Sequence, residues 1–207
     1  MKYPNAYAGT NKLYKSELLN IISTVLMLAA LVFALFTGED SPSDDMSVFF
    51  LAFTVLSIIS GVIGIIAFIL QFVGINQARK DEPLFKNAIY FIVICFICTL
   101  ALTVSNGMFG RICAGIDEVS TLLINVYVII GIYNLADLLN HQAVQRRGKL
   151  TLLLMTIFFG ITFVLHLVRA FIPEIADNLG VIGTLLELAG YIISLMYLGK
   201  ARKMLAA

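Results

Sequence analysis

Residues 179–203 read LGVIGTLLELAGYIISLMYLGKARK. From Leu179 to Gly199 the only charged side chain is Glu187, and a basic cluster, Lys200, Arg202 and Lys203, ends the run. At a rise of about 1.5 Å per residue, such a run crosses a hydrocarbon core of about 30 Å as a helix. It is far longer than the roughly ten residues of a barrel strand. The stretch therefore fixes the solvent and the secondary structure together: a membrane-spanning helix with one acid near its middle.

The rest of the chain repeats the pattern. Apolar runs fall at about 17–37, 47–72, 86–106, 116–139, 150–172 and 178–199. They predict an all-α integral membrane protein, a single domain over 1–207 built as a bundle of six transmembrane helices. Of the 207 residues, 60% are hydrophobic and 13% charged, with a mean hydropathy of +0.95. A soluble domain carries roughly twice that charged fraction. The first run, Leu18 to Phe36, is too long for a signal-peptide core and lacks a small-x-small cleavage pattern, so it reads as a retained helix.

Charge distribution sets the orientation. With six alternating helices, Lys2, Lys12, Lys15, Arg79, Lys80, Lys86, Arg146, Arg147, Lys149, Lys200, Arg202 and Lys203 fall on one side. Only Arg111 and Arg169 fall on the other, which is acidic through Glu39, Asp40, Asp44, Asp45, Asp117, Glu118, Glu174 and Asp177. The positive-inside rule then places both termini in the cytoplasm and the protein in the cell membrane. Tyr14, Tyr90, Tyr133 and Tyr197 sit near the cytoplasmic helix ends, as an aromatic belt would. The loops are short; GEDSPSDD (38–45) is the most turn-rich, and Pro173 marks the stop after the fifth helix. Lysine-led starts (KSELLN, KNAIYF, KLTLLL) and the tripeptide Ala-Arg-Lys at 78–80 and 201–203 suggest three outward hairpin repeats.

Helix faces show where the acid points. Within about 60° of Glu187 lie Gly180, Gly183, Thr184, Gly190, Tyr191 and Ser194, while Ile182, Leu185, Ile192 and Met196 lie opposite. Small residues let neighbouring backbones approach, so the Glu187 face is expected to turn inward. Ser57, Gly61 and Gly64 share a stripe on the second helix. Thr99, Thr103 and Asn106 do so on the third, Glu118, Thr121 and Asn125 on the fourth, and Thr162, His166 and Arg169 on the fifth. Most of these polar groups fall in the outer half of the membrane, which predicts an outward-facing polar cavity.

A charge at the bilayer centre costs around 3 kcal/mol on insertion scales, so Glu187 needs a proton, a partner or a ligand cation. The expected ligand-binding set is Glu187, His166, Arg169, Asn125, Glu118, Thr184 and Asn106, holding a small solute or ion. His166 and Glu187 together fall short of the three or four ligands of a metal site, so no metal and no cofactor is expected. Cys95 and Cys98 form a C-x-x-C inside the third helix. With no helix N-terminus or cation to activate them, they read as small buried side chains. Asn134, Asp137 and His141 read as the solvated end of the fourth helix.

No G-x-x-x-x-G-K-[ST], H-E-x-x-H or G-x-S-x-G motif occurs, so neither nucleotide-driven pumping nor an enzyme class is supported. Basic residues are spread over several loops and do not suggest nucleic-acid binding. Transport-type binding is the leading expectation, with the bilayer and a homo-oligomeric or energising partner subunit as partners. A non-catalytic scaffold packing through Gly-rich faces is the alternative. The six-helix architecture, the chain length and the outward cavity resemble the substrate-capture subunits of energy-coupling-factor vitamin transporters. That resemblance implies docking through small residues on the first helix, here Ala30 and Ala34 in MLAALVFALF; the Gly-rich substrate loops of those subunits are not apparent.

Overall fold

The computed structural model describes residues 2–35, 43–104, 108–171 and 176–207, with the backbone alone at 34–35, 43–47, 103, 108, 111, 166–171 and 176–181. Among these residues the chain is all helical: α1 (Pro4–Leu35), α2 (Ser43–Ala78), α3 (Phe85–Val104), α4 (Met108–Leu138), α5 (Gln142–Phe171) and α6 (Ala176–Ala206). Each helix is long and apolar enough to cross a membrane, so the chain is a multi-pass membrane protein. Consecutive helices pack on one another and α6 returns to α1, making a ring in which α4 and α6 also touch. Large apolar side chains such as Val62, Ile65 and Ile69 point out of the ring, where lipid takes the place of a protein partner.

The helices run well past the apolar runs, most clearly where the two chain termini lie. α1 starts at Pro4, whose fixed φ suits a first helical position, and α6 continues through the basic Lys200–Lys203 segment. Hydropathy marks the edge of hydrocarbon, not the end of hydrogen bonding, so polar helical turns escape it. Here those turns fasten to each other. The Asp81 carboxylate accepts Asn5 Nδ2 at 2.9 Å and the Ala6 amide at 2.8 Å, placing an anion on the positive end of α1. Lys12 Nζ donates to Gln77 Oε1 at 2.6 Å, and Arg202 donates to Asn11 Oδ1 at 3.1 Å while stacking over Tyr14.

Close approach of α1 and α2 is set by two glycines. A Cβ on Gly9 would stand 2.5 Å from the Gly74 carbonyl oxygen, and one on Gly74 would stand 2.9 Å from that of Gly9. Further along, Ser16 donates to the Ala67 carbonyl at 2.7 Å. Ser23 and Ser60 donate to each other's carbonyls at 3.0 and 2.9 Å. These bonds satisfy hydroxyls that hydrocarbon cannot.

The α4–α5 turn follows from one residue. Asn140 has φ 53°, His141 N–H reaches the Ala136 carbonyl at 2.8 Å and Asn140 N–H reaches that of Asp137 at 2.9 Å. This is a Schellman C-cap with asparagine in the left-handed position. His141 Nδ1 then accepts the Val144 amide at 3.3 Å, and Asp137 accepts Gln145 Nε2 at 3.0 Å. His141 and Asp137 are exposed, as expected of a solvated helix end, and they also build the turn.

Several sequence expectations are corrected. Tyr197 is not part of an interfacial belt: it is 1% exposed and donates to the Ile129 carbonyl at 3.3 Å. The intimate glycine contacts are not those of the Gly61/Gly64 or Glu187-side stripes. Among the described residues no neighbouring atom lies within 4 Å of a Cβ added at Gly61 or Gly183, and at Gly64 and Gly190 such a Cβ meets only Ser23 Oγ and Met155 Sδ at 3.7 Å. Ala30 is fully buried within the chain, so it offers no surface for docking a partner; the side chain of Ala34 lies outside the described residues. The same holds for the 38–42 part of the predicted external loop and for Pro173, whereas 43–46 is already helical.

Candidate functional site

Tight packing at the termini end gives way to a cavity of about 430 Å³ farther along the bundle, lined from α1, α3, α4, α5 and α6. Its position follows from where the close contacts stop. Gly9, Gly74, Gly131 and Gly148 bring helices together near the termini, while among the described residues Gly115, Gly160 and Gly183 have open space beside them.

Four carboxyl side chains line this space: Glu17 on α1, Asp117 and Glu118 on α4, and Glu187 on α6. No lysine, arginine or histidine lines it among the described residues. Ionised carboxylates gathered in a low-dielectric recess repel one another, which favours either a shared proton or a neutralising cation. Glu17 lies about 20 Å along α1 from Pro4 and about 27 Å from Leu35. It is 7% exposed, Ser194 Oγ donates to its Oε1 at 3.1 Å, and its Oε2 is buried with no hydrogen-bond partner. Glu187 is about 17 Å from the start of α6 and about 10 Å along the helix from Ser194. Unlike Glu17, it is not covered by protein, and neither are Ala114 and Thr121. The cavity therefore has an uncovered rim around Ala114, Thr121 and Glu187 and a closed floor at Glu17.

The rest of the lining is largely apolar and aromatic: Met155, Phe158 and Phe159 come from α5, and Tyr191 from α6. Face segregation on α6 is as the sequence suggests: Glu187, Gly190 and Tyr191 line the cavity, while Ile182, Leu185, Ile192 and Met196 are exposed on the outside.

Of the expected site residues, Glu187, Asn125 and Glu118 line one cavity. Thr184, one turn from Glu187, is partly buried but does not line it. Asn106 and the side chains of His166 and Arg169 lie outside the described residues. Two acids had no place in the expected set. Asp117 neighbours Glu118 and lines the same wall, and its carbonyl accepts the Cys95 thiol at 3.6 Å. Glu17 stands at the very start of the first apolar run, which makes it look interfacial. Taking Pro4 as the helix start would have put it mid-helix.

Cys95, Cys98 and Cys113 are buried free thiols, in keeping with the packing role expected of the C-x-x-C pair. Among the described residues no three histidines, cysteines or carboxylates converge as a metal site. No family model, curated protein or solved structure matches the chain.

Proposed function

We propose that this protein is a transport-type membrane protein that binds a small positively charged solute in the acid-lined cavity, with its termini in the cytoplasm and the cavity mouth toward the outside. One observation carries the reading: four carboxyl groups share a recess in which no basic side chain is described. A membrane fold keeps such a cluster by protonating it, wetting it, pairing it within the protein or filling it with a cation; the excess of acids over described bases in the recess favours the last. Glu187 meets the solute near the rim, Asn125 and Glu118 stand on the facing wall, and Glu17 holds the floor. Orientation rests on the asymmetry of basic residues between the two sides.

The test is a stability screen of the purified protein against inorganic cations, organic ammonium ions, and neutral and anionic solutes of matched size. A cationic class should raise the melting temperature, and Glu187→Gln should reduce that rise in a folded protein. Stabilisation by neutral or anionic solutes alone would reject the reading. A second reading, a scaffold that packs on other chains, draws on the open space beside Gly61 and Gly183. Gly61→Leu that leaves the size of the extracted particle unchanged counts against it.

A further inference from the structure

We propose that the cavity is built for an organic ammonium ion with an aromatic or branched alkyl body, its charged head at Glu17. The inference rests on the cation-binding reading above and narrows it to a substrate class. Four features of the site point the same way.

Size comes first. The cavity has a volume of about 430 Å³. It lies within the ordinary range of small-molecule pockets and is far larger than a dehydrated metal ion requires.

The arrangement of donors comes second. Calcium takes six to eight converging oxygens and magnesium six in near-octahedral array. The described carboxylates come from three different helices and do not converge as a metal-holding group. They charge the whole recess rather than cage a point.

Third is the aromatic share of the lining. Phe158, Phe159 and Tyr191 line the same space as Glu17 and Glu187. Aromatic rings together with carboxylates are the chemistry that recognises alkylated ammonium groups, through cation–π attraction and apolar contact. A hydrated inorganic ion gains little from such a wall, and a neutral apolar solute gains nothing from the acids.

Last is the state of Glu17 itself. The Ser194 hydroxyl holds one carboxyl oxygen and the Asn20 side chain stands within reach of the group, while Oε2 itself is buried on the cavity floor without a hydrogen bond of its own. A buried acceptor left unsatisfied is costly. An ammonium N–H, or an N-methyl group carrying partial positive charge, supplies the missing partner there.

The experiment compares benzyltrimethylammonium with neopentylbenzene, the isostere in which carbon replaces the charged nitrogen. Binding is measured by calorimetry to the full chain in nanodiscs, with empty nanodiscs as reference, and tetraethylammonium, sodium and calcium are run alongside. The ammonium ion should bind at least tenfold more tightly than its neutral isostere. Glu17→Gln should weaken the ammonium by tenfold or more without changing the isostere. Phe159→Ala, which removes no charge, should weaken benzyltrimethylammonium severalfold and keeps the test informative if Glu17→Gln does not fold. Equal binding of the two isosteres overturns the proposal, as does a failure of both ammonium ions to bind. If sodium or calcium binds while the ammonium ions do not, the substrate class is wrong but the cation-binding reading stands. If no cation of any kind binds, both fall.

Discussion

Replacing Gly9 with alanine should separate the first two helices, and the size of the effect can be worked from the contact. The new methyl would lie 2.5 Å from the Gly74 carbonyl oxygen and 2.8 Å from both the nitrogen and the Cβ of Ala78. Two of those atoms are backbone, so no rotamer change relieves the overlap, and α1 must move away by around an ångström. Overpacking of this kind costs about 1–3 kcal/mol. The shift also stretches the Lys12–Gln77 and Asn5–Asp81 bonds nearby. Helix propensity acts the other way, since alanine is better than glycine in a helix by about 1 kcal/mol. The control is Gly61→Ala, where no atom lies within 4 Å of the added Cβ and only the propensity gain remains. Reversible unfolding in mixed micelles should therefore rank Gly61→Ala at or above wild type. Gly9→Ala should fall below Gly61→Ala by about 1–3 kcal/mol, the overpacking cost alone, because the propensity gain is common to both variants. Equal stabilities for the two variants would refute the account of how this end of the bundle is clamped.

Asp81→Ala removes the acceptor of both the Ala6 amide and the Asn5 side chain; a loss of about 1–2 kcal/mol is expected, typical of a lost N-terminal cap, checked by the same unfolding assay. Asn140→Gly should be neutral or mildly stabilising and Asn140→Val clearly destabilising, because φ 53° suits glycine and not a β-branched side chain; a melting-temperature comparison decides it. Cys98 lies within hydrogen-bonding reach of Cys113 on the next helix, so a membrane-permeant oxidant should cross-link this pair, and not Cys95, within one chain, as read by peptide mass spectrometry.

Much of the architecture could be read from the sequence because hydrocarbon imposes it. Six runs of apolar residues leave few alternatives to six helices, and the division of α6 into a Glu187 side and an Ile/Leu side settles which way it faces. The polar helical ends were not legible. Asn5, Lys12, Gln77, Asp81 and Arg202 look like ordinary interfacial residues until their partners, far away in sequence, are known. Glycine contacts were misassigned for a related reason. Spacing identifies a small-residue stripe but not whether a helix lies against it, and the closest approach uses Gly9, in a polar segment outside the apolar run. Glu17 was missed because hydropathy placed the start of the first helix at Glu17, whereas α1 begins at Pro4. Glu187 and Asn125 were reached by comparing depth on neighbouring helices and Glu118 by the face it shares with Asn125, a comparison that held although α4 starts at Met108, well before its apolar run.

The central claim is that Glu17, Asp117, Glu118 and Glu187 line a wet recess entered from the end of the bundle away from the termini. Its most direct measurement is the reaction of Asn125→Cys, in a chain whose native cysteines are replaced, with membrane-impermeant thiosulfonates applied from outside. A cationic reagent should label that thiol far faster than an anionic one, after normalisation to a free thiol in solution, and Glu187→Gln should narrow the gap. No labelling by either reagent, or equal rates for both, would contradict the account.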